Sequence, residues 1–306
     1  YLPVHGLRAQ GMGRQWLFIY AAPRVGRDKR CHMQDRFETF GGTGDPLVFA
    51  HANGYPPGSY RQLLELLSAQ CHVTAVRHRP LWGESQPPSR LRWQLFADDL
   101  IDILKTTQEA PVWLLGHSLG AVVGLLAADR EPELFRGLML LDPVFLPTRL
   151  IIAMALTPRS RRQRMPMIRR ALSRPTKFTD VQAAFEFYRG RRAFSRLDDN
   201  ALRDYVAAST GAKDGNGISL LFPPAWEAGI YGSAPWIWPA LKRVSIPVLG
   251  LRGTDSQILS DAVLRRWEQI HRQSELHTTP GGHLFPLEYP QATAARITDF
   301  LDRHKG

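Results

Sequence analysis

The pentapeptide Gly116-His117-Ser118-Leu119-Gly120 lies between an apolar run over 112–115 and a second over 121–128. A serine held between a buried strand and an apolar helix has the nucleophile-elbow arrangement G-x-S-x-G. Strand and helix approach closely at such a turn, so its flanking residues must be small, and Gly116 and Gly120 meet that need. A helix starting at Leu119 or Gly120 aims unpaired N–H groups and its positive dipole end at the serine, which suits a developing oxyanion. A serine hydroxyl attacks poorly until a base takes its proton, and in this arrangement an acid and then a histidine follow the serine along the chain.

Among ten histidines, His283 sits in the glycine-flanked loop PGGHLFPLEYP, after a late strand and before the last helix. It is the expected base, and His117, beside the serine, is read as a bystander. Asp255, in LRGTDSQIL, follows the apolar strand IPVLGL and precedes His283 by 28 residues. A carboxylate at a strand's C-terminal end shares a sheet edge with Ser118, so Asp255 is the expected acid. Asp142, in LLDPVF, also ends a strand and is its competitor; it is assigned to the turn into the next segment. Asp98 and Asp99 fall within a helical pattern and are read as solvated or paired with a base. One oxyanion donor would be the Leu119 N–H, and the loop HANGYPPGSY is the one early loop fitted to give the other.

These residues need a scaffold, and its rhythm is legible. RFETF reads as a first strand, and PLVFA as a strand entering a Gly/Pro loop. Residues 59–69 have helical spacing with Ser59 as N-cap. Residues 71–78 alternate like a strand, 93–106 carry a helical apolar face, and 136–141 form another strand. The alternation predicts an α/β fold, a mostly parallel central sheet with helices on both faces. From about Thr148 the pattern changes to Arg-rich and aromatic helical segments with broken loops. It resumes near Val244 with a strand, a helix over 262–270, a strand over 275–279 and a closing helix over 291–304. The expected organisation is an N-terminal extension over 1–35, a core over 36–147 and 243–306, and a helical insertion over 148–242.

Composition narrows the function class. The chain has 306 residues, 44% hydrophobic and 22% charged, as in ordinary globular proteins. Two cysteines, Cys31 and Cys71, exclude a disulfide framework and give no CxxC zinc pattern; both are read as buried thiols, with one bridge between them left open. No apolar run approaches the ~18–20 residues of a membrane span. The stretch WLFIYAA makes a poor signal peptide, so the first 33 residues are read as a non-essential leader or extension and the expected location is cytoplasmic. Thirty-nine basic residues against 28 acidic give +11, and the third from Thr148 to Lys242, with 16 basic and 7 acidic residues, holds +9 of it. No helix-turn-helix, zinc-finger or RNP pattern accompanies this charge, so nucleic acid is not an expected partner. A solvated basic face is the reading taken for the arginines, over attraction of an anionic substrate or membrane surface. No G-x-G-x-x-G follows a strand, and no P-loop or HExxH occurs, so no cofactor or metal is expected.

With these parts in order, the chain resembles the α/β-hydrolase fold superfamily over about 36–304. FAHANGYPPGSY is similar to the family's oxyanion loop, RPLWGESQPP to its loop after the fourth strand, and GHSLG to its elbow. LRGTDSQIL and PGGHLFPLEYP are similar to its acid and histidine loops. The resemblance implies that Asn53 supplies the second oxyanion N–H and that His51 braces the loop. Ala52 stands where glycine is commoner, which leaves Ala52 open as the donor instead. It also implies that the insertion forms a cap over the site. Of its aromatics, Phe185, Phe187, Tyr188, Phe194, Phe222, Trp226, Tyr231, Trp236 and Trp238, any one taken singly is read as the cap's own packing; together they offer the lining of an apolar acyl or alcohol pocket, with Trp236 and Trp238 the expected lining residues. The expected activity is hydrolysis of small to medium hydrophobic esters through an acyl-enzyme. Thioester, lactone or carbon–carbon hydrolysis by the same residues remains open, as does a non-catalytic receptor on this scaffold.

Overall fold

The structure, a computed structural model, describes residues 33–107, 111–212 and 217–304. Most of the expected N-terminal extension, and Cys31 with it, lies outside the described residues. The first half runs β1 (Phe37–Gly41), β2 (Asp45–Ala50), α1 (Arg61–Leu67), β3 (Cys71–Val76), α2 (Gln94–Thr107), β4 (Val112–His117), α3 (Leu119–Arg130) and β5 (Phe135–Leu141). An insertion follows: α4 (Thr148–Leu156), α5 (Arg159–Arg162), α6 (Pro166–Leu172), β6 (Lys177–Phe178), α7 (Val181–Arg189), α8 (Asp199–Ser209), β7 (Thr210–Ala212), β8 (Ile218–Leu220), α9 (Pro224–Tyr231) and α10 (Trp238–Arg243). The chain then returns through β9 (Val248–Gly253), α11 (Asp261–Ile270), β10 (Glu275–Thr279), α12 (Phe285–Glu288) and α13 (Pro290–His304).

Among the described residues, seven strands form one sheet in the order β1-β3-β2-β4-β5-β9-β10. Only β1 is antiparallel to its neighbour; the other pairings are parallel. Parallel strands need crossovers, which cover both faces of the sheet with helices and make the strands continuous apolar runs. β4 is buried at every residue. One apolar layer joins the sheet to α2, α3 and α11 through residues such as Phe96, Val122 and Trp267, and the other joins it to α1 and α13 through Leu63, Leu64 and Phe300.

The register sets the functional edge. Ala50 pairs with Gly116, His117 with Leu141, Leu141 with Leu251, and Gly253 with Thr279. The loops after β2, β4, β5, β9 and β10 therefore leave the sheet at one level, the edge at which open parallel sheets place ligands.

Two local expectations are corrected. Ser59 does not cap α1: Pro57–Tyr60 forms a 3-10 turn, Tyr60 takes the cap position, and Ser59 is buried. Pro57 and Gly58 favour the tight turn, which shifts the helix start past the serine. The insertion also contains a small antiparallel sheet, β6-β8-β7, of two- and three-residue strands too short to leave a pattern in sequence.

Candidate active site

Ser118 occupies the turn between β4 and α3 with φ 54° and ψ −108°. A non-glycine residue in this region carries strain on the order of 1–3 kcal/mol, held only where the surroundings leave no alternative. Here the Ser118 N–H donates to the Leu141 carbonyl at 2.9 Å, tying the turn to β5. A Cβ on Gly116 would stand 2.6 Å from the Ala121 backbone, and one on Gly120 2.0 Å from the Ala50 carbonyl oxygen. Both flanking glycines are thus required by close backbone approach, and Gly120 packs the elbow against the end of β2.

His283 Nε2 lies 3.0 Å from Ser118 Oγ, and its Nδ1 lies 2.5 Å from Asp142 Oδ2. The acid beside this imidazole is Asp142 and not the expected Asp255. The reason is strand order and backbone shape. Asp142 follows β5, the direct neighbour of β4, and is wholly buried; its φ of 41° makes it the second non-glycine residue with positive φ among the described residues. Its N–H donates to the Leu251 carbonyl at 2.7 Å, which anchors the bend. Asp255 follows β9, one strand further out, and its exposed carboxylate pairs with Arg196 at 2.5 Å. The next residue, Ser256, does reach the site: its Oγ–H donates to Asp142 Oδ2 at 2.5 Å. Nothing in the sequence singled out Ser256.

A second layer of neutral histidines supports the loops. His117 Nε2 is 2.8 Å from the His283 carbonyl oxygen, so it carries the proton there, and Nδ1 accepts from Tyr60 Oη at 2.7 Å. Burial, then the nearby His283, holds His117 well below the usual histidine range. The bystander is therefore the strut that fixes the backbone of His283. His51 Nε2 accepts from the His78 N–H at 3.1 Å, its Nδ1–H donates to the Ala52 carbonyl at 2.8 Å, and His78 Nε2–H donates back to the His51 carbonyl at 3.0 Å. Burial pushes His78 down to about 4 and His51 well below its ordinary value. His51 thus braces the loop as the resemblance implied, with His78 as a partner the sequence did not reveal.

The Ala52 N–H points to Tyr60 Oη at 3.4 Å and is engaged there. The N–H groups of Asn53 and Leu119 have no hydrogen-bond partner among the described residues. Asn53 is fixed by its side chain, whose Nδ2 donates to the Glu227 carbonyl in α9 at 3.1 Å. Glu288, almost fully buried, accepts from the Gly282 N–H at 2.8 Å and so grips the residue before His283.

The tryptophan expectations do not hold for Trp238. Its indole is 3% exposed, packs on Phe145 with centroids 5.8 Å apart, and donates to the Leu146 carbonyl at 3.3 Å. It is core: it sits at the first residue of α10, with the Arg266 guanidinium over its ring at 4.4 Å. Trp236 is 53% exposed and donates to Thr148 Oγ1 at 3.2 Å, at the first residue of α4. Neither indole makes a hydrogen bond or ring contact with Ser118, His283 or Asp142 among the described residues. Asp99 pairs with Arg79 and Asp98 with Arg130, as bases in reach of a helical face. Among the described residues no group of three or more His, Cys, Asp or Glu side chains is placed to hold a metal ion, and no helix is long and apolar enough to cross a membrane.

Sheet order, elbow and crossovers define an α/β-hydrolase fold. The profile of the alpha/beta hydrolase family matches residues 47–296, and the chain belongs to that family. Over 263 residues it is 24% identical to 2-(acetamidomethylene)succinate hydrolase of Mesorhizobium japonicum, covering 85% of this chain and 89% of that one. A shorter match, 32% over 112 residues, relates it to monoglyceride lipase of Rattus norvegicus across 34% of this chain and 37% of that one. Among solved structures, an E-2-(acetamidomethylene)succinate hydrolase superposes with TM-score 0.73 at 24% identity, covering 87% and 94% of the two chains. An esterase of Thermogutta terrifontis gives 0.66 at 21% identity, covering 88% and 93%. At these identities the superpositions speak for the fold alone.

Proposed function

We propose that this hydrolase cleaves carboxylic esters of small to medium hydrophobic substrates through an acyl-enzyme on Ser118. The observation that carries this is the hydrogen-bonded chain Ser118 Oγ, His283 Nε2, His283 Nδ1, Asp142 Oδ2, at 3.0 and 2.5 Å. As the Ser118 oxygen bonds to the ester carbon, its proton passes to His283 Nε2 and the carbonyl electron pair moves onto oxygen. The N–H groups of Leu119 and Asn53 receive that oxyanion; each such donor contributes on the order of 3–4 kcal/mol in measured cases. Asp142 holds the imidazole in the tautomer that accepts at Nε2 and stabilises the imidazolium that forms. Collapse breaks the bond to the alcohol oxygen, which takes the proton from Nε2. Water then gives a proton to Nε2, attacks the acyl carbon, and on collapse the acid leaves while Ser118 recovers its proton.

The insertion over 148–242 is read here as a cap on the core of 36–147 and 243–306. Its support is contact with the site loops: Glu227 to Asn53, and Arg196 to Asp255 and the Gly282 region. A second reading is favoured by the relatedness to 2-(acetamidomethylene)succinate hydrolase along most of the chain: the same residues would cleave the amide of a small acylamido-substituted carboxylate. Comparing kcat/KM for p-nitrophenyl butyrate and for 2-(acetamidomethylene)succinate separates the two. Turnover of the ester with none of the succinate supports the first; the reverse moves the assignment to the second. Failure of both, with folded protein, would remove both of these substrate readings.

A further inference from the structure

Helix α4 is an anomaly on the surface of this fold. Residues 150–156, LIIAMAL, are seven consecutive apolar residues, yet only Met154 is buried. Ile151 is partly covered one turn below it, so the helix touches the protein along a narrow stripe. Ile152 is 54% exposed and Leu156 79%. A helix apolar all round is normally buried on all sides or faces something other than water. At its start Thr148 accepts from the indole of the half-exposed Trp236, an aromatic with one apolar and one polar end.

What covers this helix is indicated by charge. Between Pro143 and Thr179 the chain has nine basic residues and no Asp or Glu. Arg149, Arg161, Arg164, Arg169 and Arg170 are exposed and have no carboxylate partner among the described residues. The pairing of arginines elsewhere on this surface makes the contrast: Arg130, Arg136, Arg243 and Arg303 each hold an aspartate. Exposed aliphatic side chains flanked by uncompensated arginines match a lipid surface with anionic headgroups, where the apolar residues enter the acyl boundary and the arginines meet phosphate. A basic face alone would fit any polyanion; the bare apolar helix beside it is what selects a membrane.

We infer that α4 and the arginines that follow it form a docking surface for an anionic membrane, independent of the catalytic reading. The test is co-sedimentation of the full chain with vesicles of phosphatidylcholine alone or mixed equally with phosphatidylglycerol. Binding is expected to the mixed vesicles only, and to fall as salt rises from about 0.1 M to about 1 M, where the screening length drops from ~10 to ~3 Å. Arg161→Gln with Arg164→Gln should lower partitioning by roughly fivefold per charge removed, and Ile152→Glu with Leu156→Glu should abolish it. Far-UV circular dichroism and a thermal melt check that the variants fold; the arginine pair, being exposed, keeps the test decisive if the apolar pair does not fold. Equal binding to both vesicles, no binding at low salt, or concentration-dependent self-association with no lipid binding would each overturn the inference.

Discussion

Replacing Asp142 by asparagine changes one atom and tests which acid serves His283. The carboxylate is wholly buried, and Oδ2 accepts two protons, from Ser256 Oγ and from His283 Nδ1, each at 2.5 Å. If the asparagine amide nitrogen takes the Oδ2 position, it donates toward Nδ1 and forces the imidazole proton onto Nε2. That proton then faces Ser118 Oγ, and the ring can no longer accept from the serine. If the amide oxygen takes the position, the tautomer survives but the negative charge opposite the imidazolium is gone. Loss of the buried carboxylate in this setting costs about 10⁴ in kcat, or roughly 5.4 kcal/mol at 1.36 per decade. Asp255→Asn removes only an exposed pairing with Arg196, worth about 0–1 kcal/mol, so its kcat/KM should stay within about fivefold of wild type. The assay is steady-state hydrolysis of a p-nitrophenyl ester by both variants, with melts to confirm folding. Near-wild-type turnover by Asp142→Asn, or a larger loss in Asp255→Asn, would show that Asp142 does not serve His283.

Other outcomes follow from the same contacts. Tyr60→Phe strips the hydroxyl from His117 and the Ala52 N–H; a destabilisation of about 1–3 kcal/mol is expected in urea unfolding, and no change in midpoint would contradict the strut. Gly120→Ala drives a Cβ into the Ala50 carbonyl, so a loss of about 3 kcal/mol or failure to accumulate as folded protein is expected; an unchanged melt would show that the backbone can part there. His78 is held neutral with its pKa down at about 4 by burial, so the unfolded chain binds a proton that the folded chain refuses between that value and ~6.5. Stability is therefore full above pH ~6.5 and declines as pH falls toward 4, by about 3 kcal/mol for this group. Chemical unfolding of wild type and His78→Gln at pH 7 and pH 5 checks this, and equal acid slopes in the two would remove His78 as the cause.

The sequence made the elbow legible because its demands are local: small residues where backbones touch, an apolar strand before and an apolar helix after. Gly116 and Gly120 meet in space the neighbours they were expected to need. His283 was legible for a related reason, as a loop histidine at the end of a late strand. The carboxylate beside His283 was not, because Asp142 and Asp255 both end strands, and what separates them is that β5, not β9, lies beside β4. No local pattern states sheet order, and a positive φ at an aspartate leaves no mark in sequence. Tyr60, His78 and Ser256 act through partners far along the chain, such as the 57-residue separation of Tyr60 and His117, so they emerge only once the loops are brought to one edge. Trp238 was misplaced because a tryptophan in a Pro-broken stretch suits a pocket wall or a core equally well.

Whether Ser118 is a nucleophile activated by His283 is tested by intact-mass and peptide analysis after reaction with a fluorophosphonate. One adduct per chain is expected, mapped to Ser118, absent in Ser118→Ala and slowed by about 10⁴-fold or more in His283→Ala. An unlabelled but folded wild-type protein, or an adduct on any other residue, would contradict it.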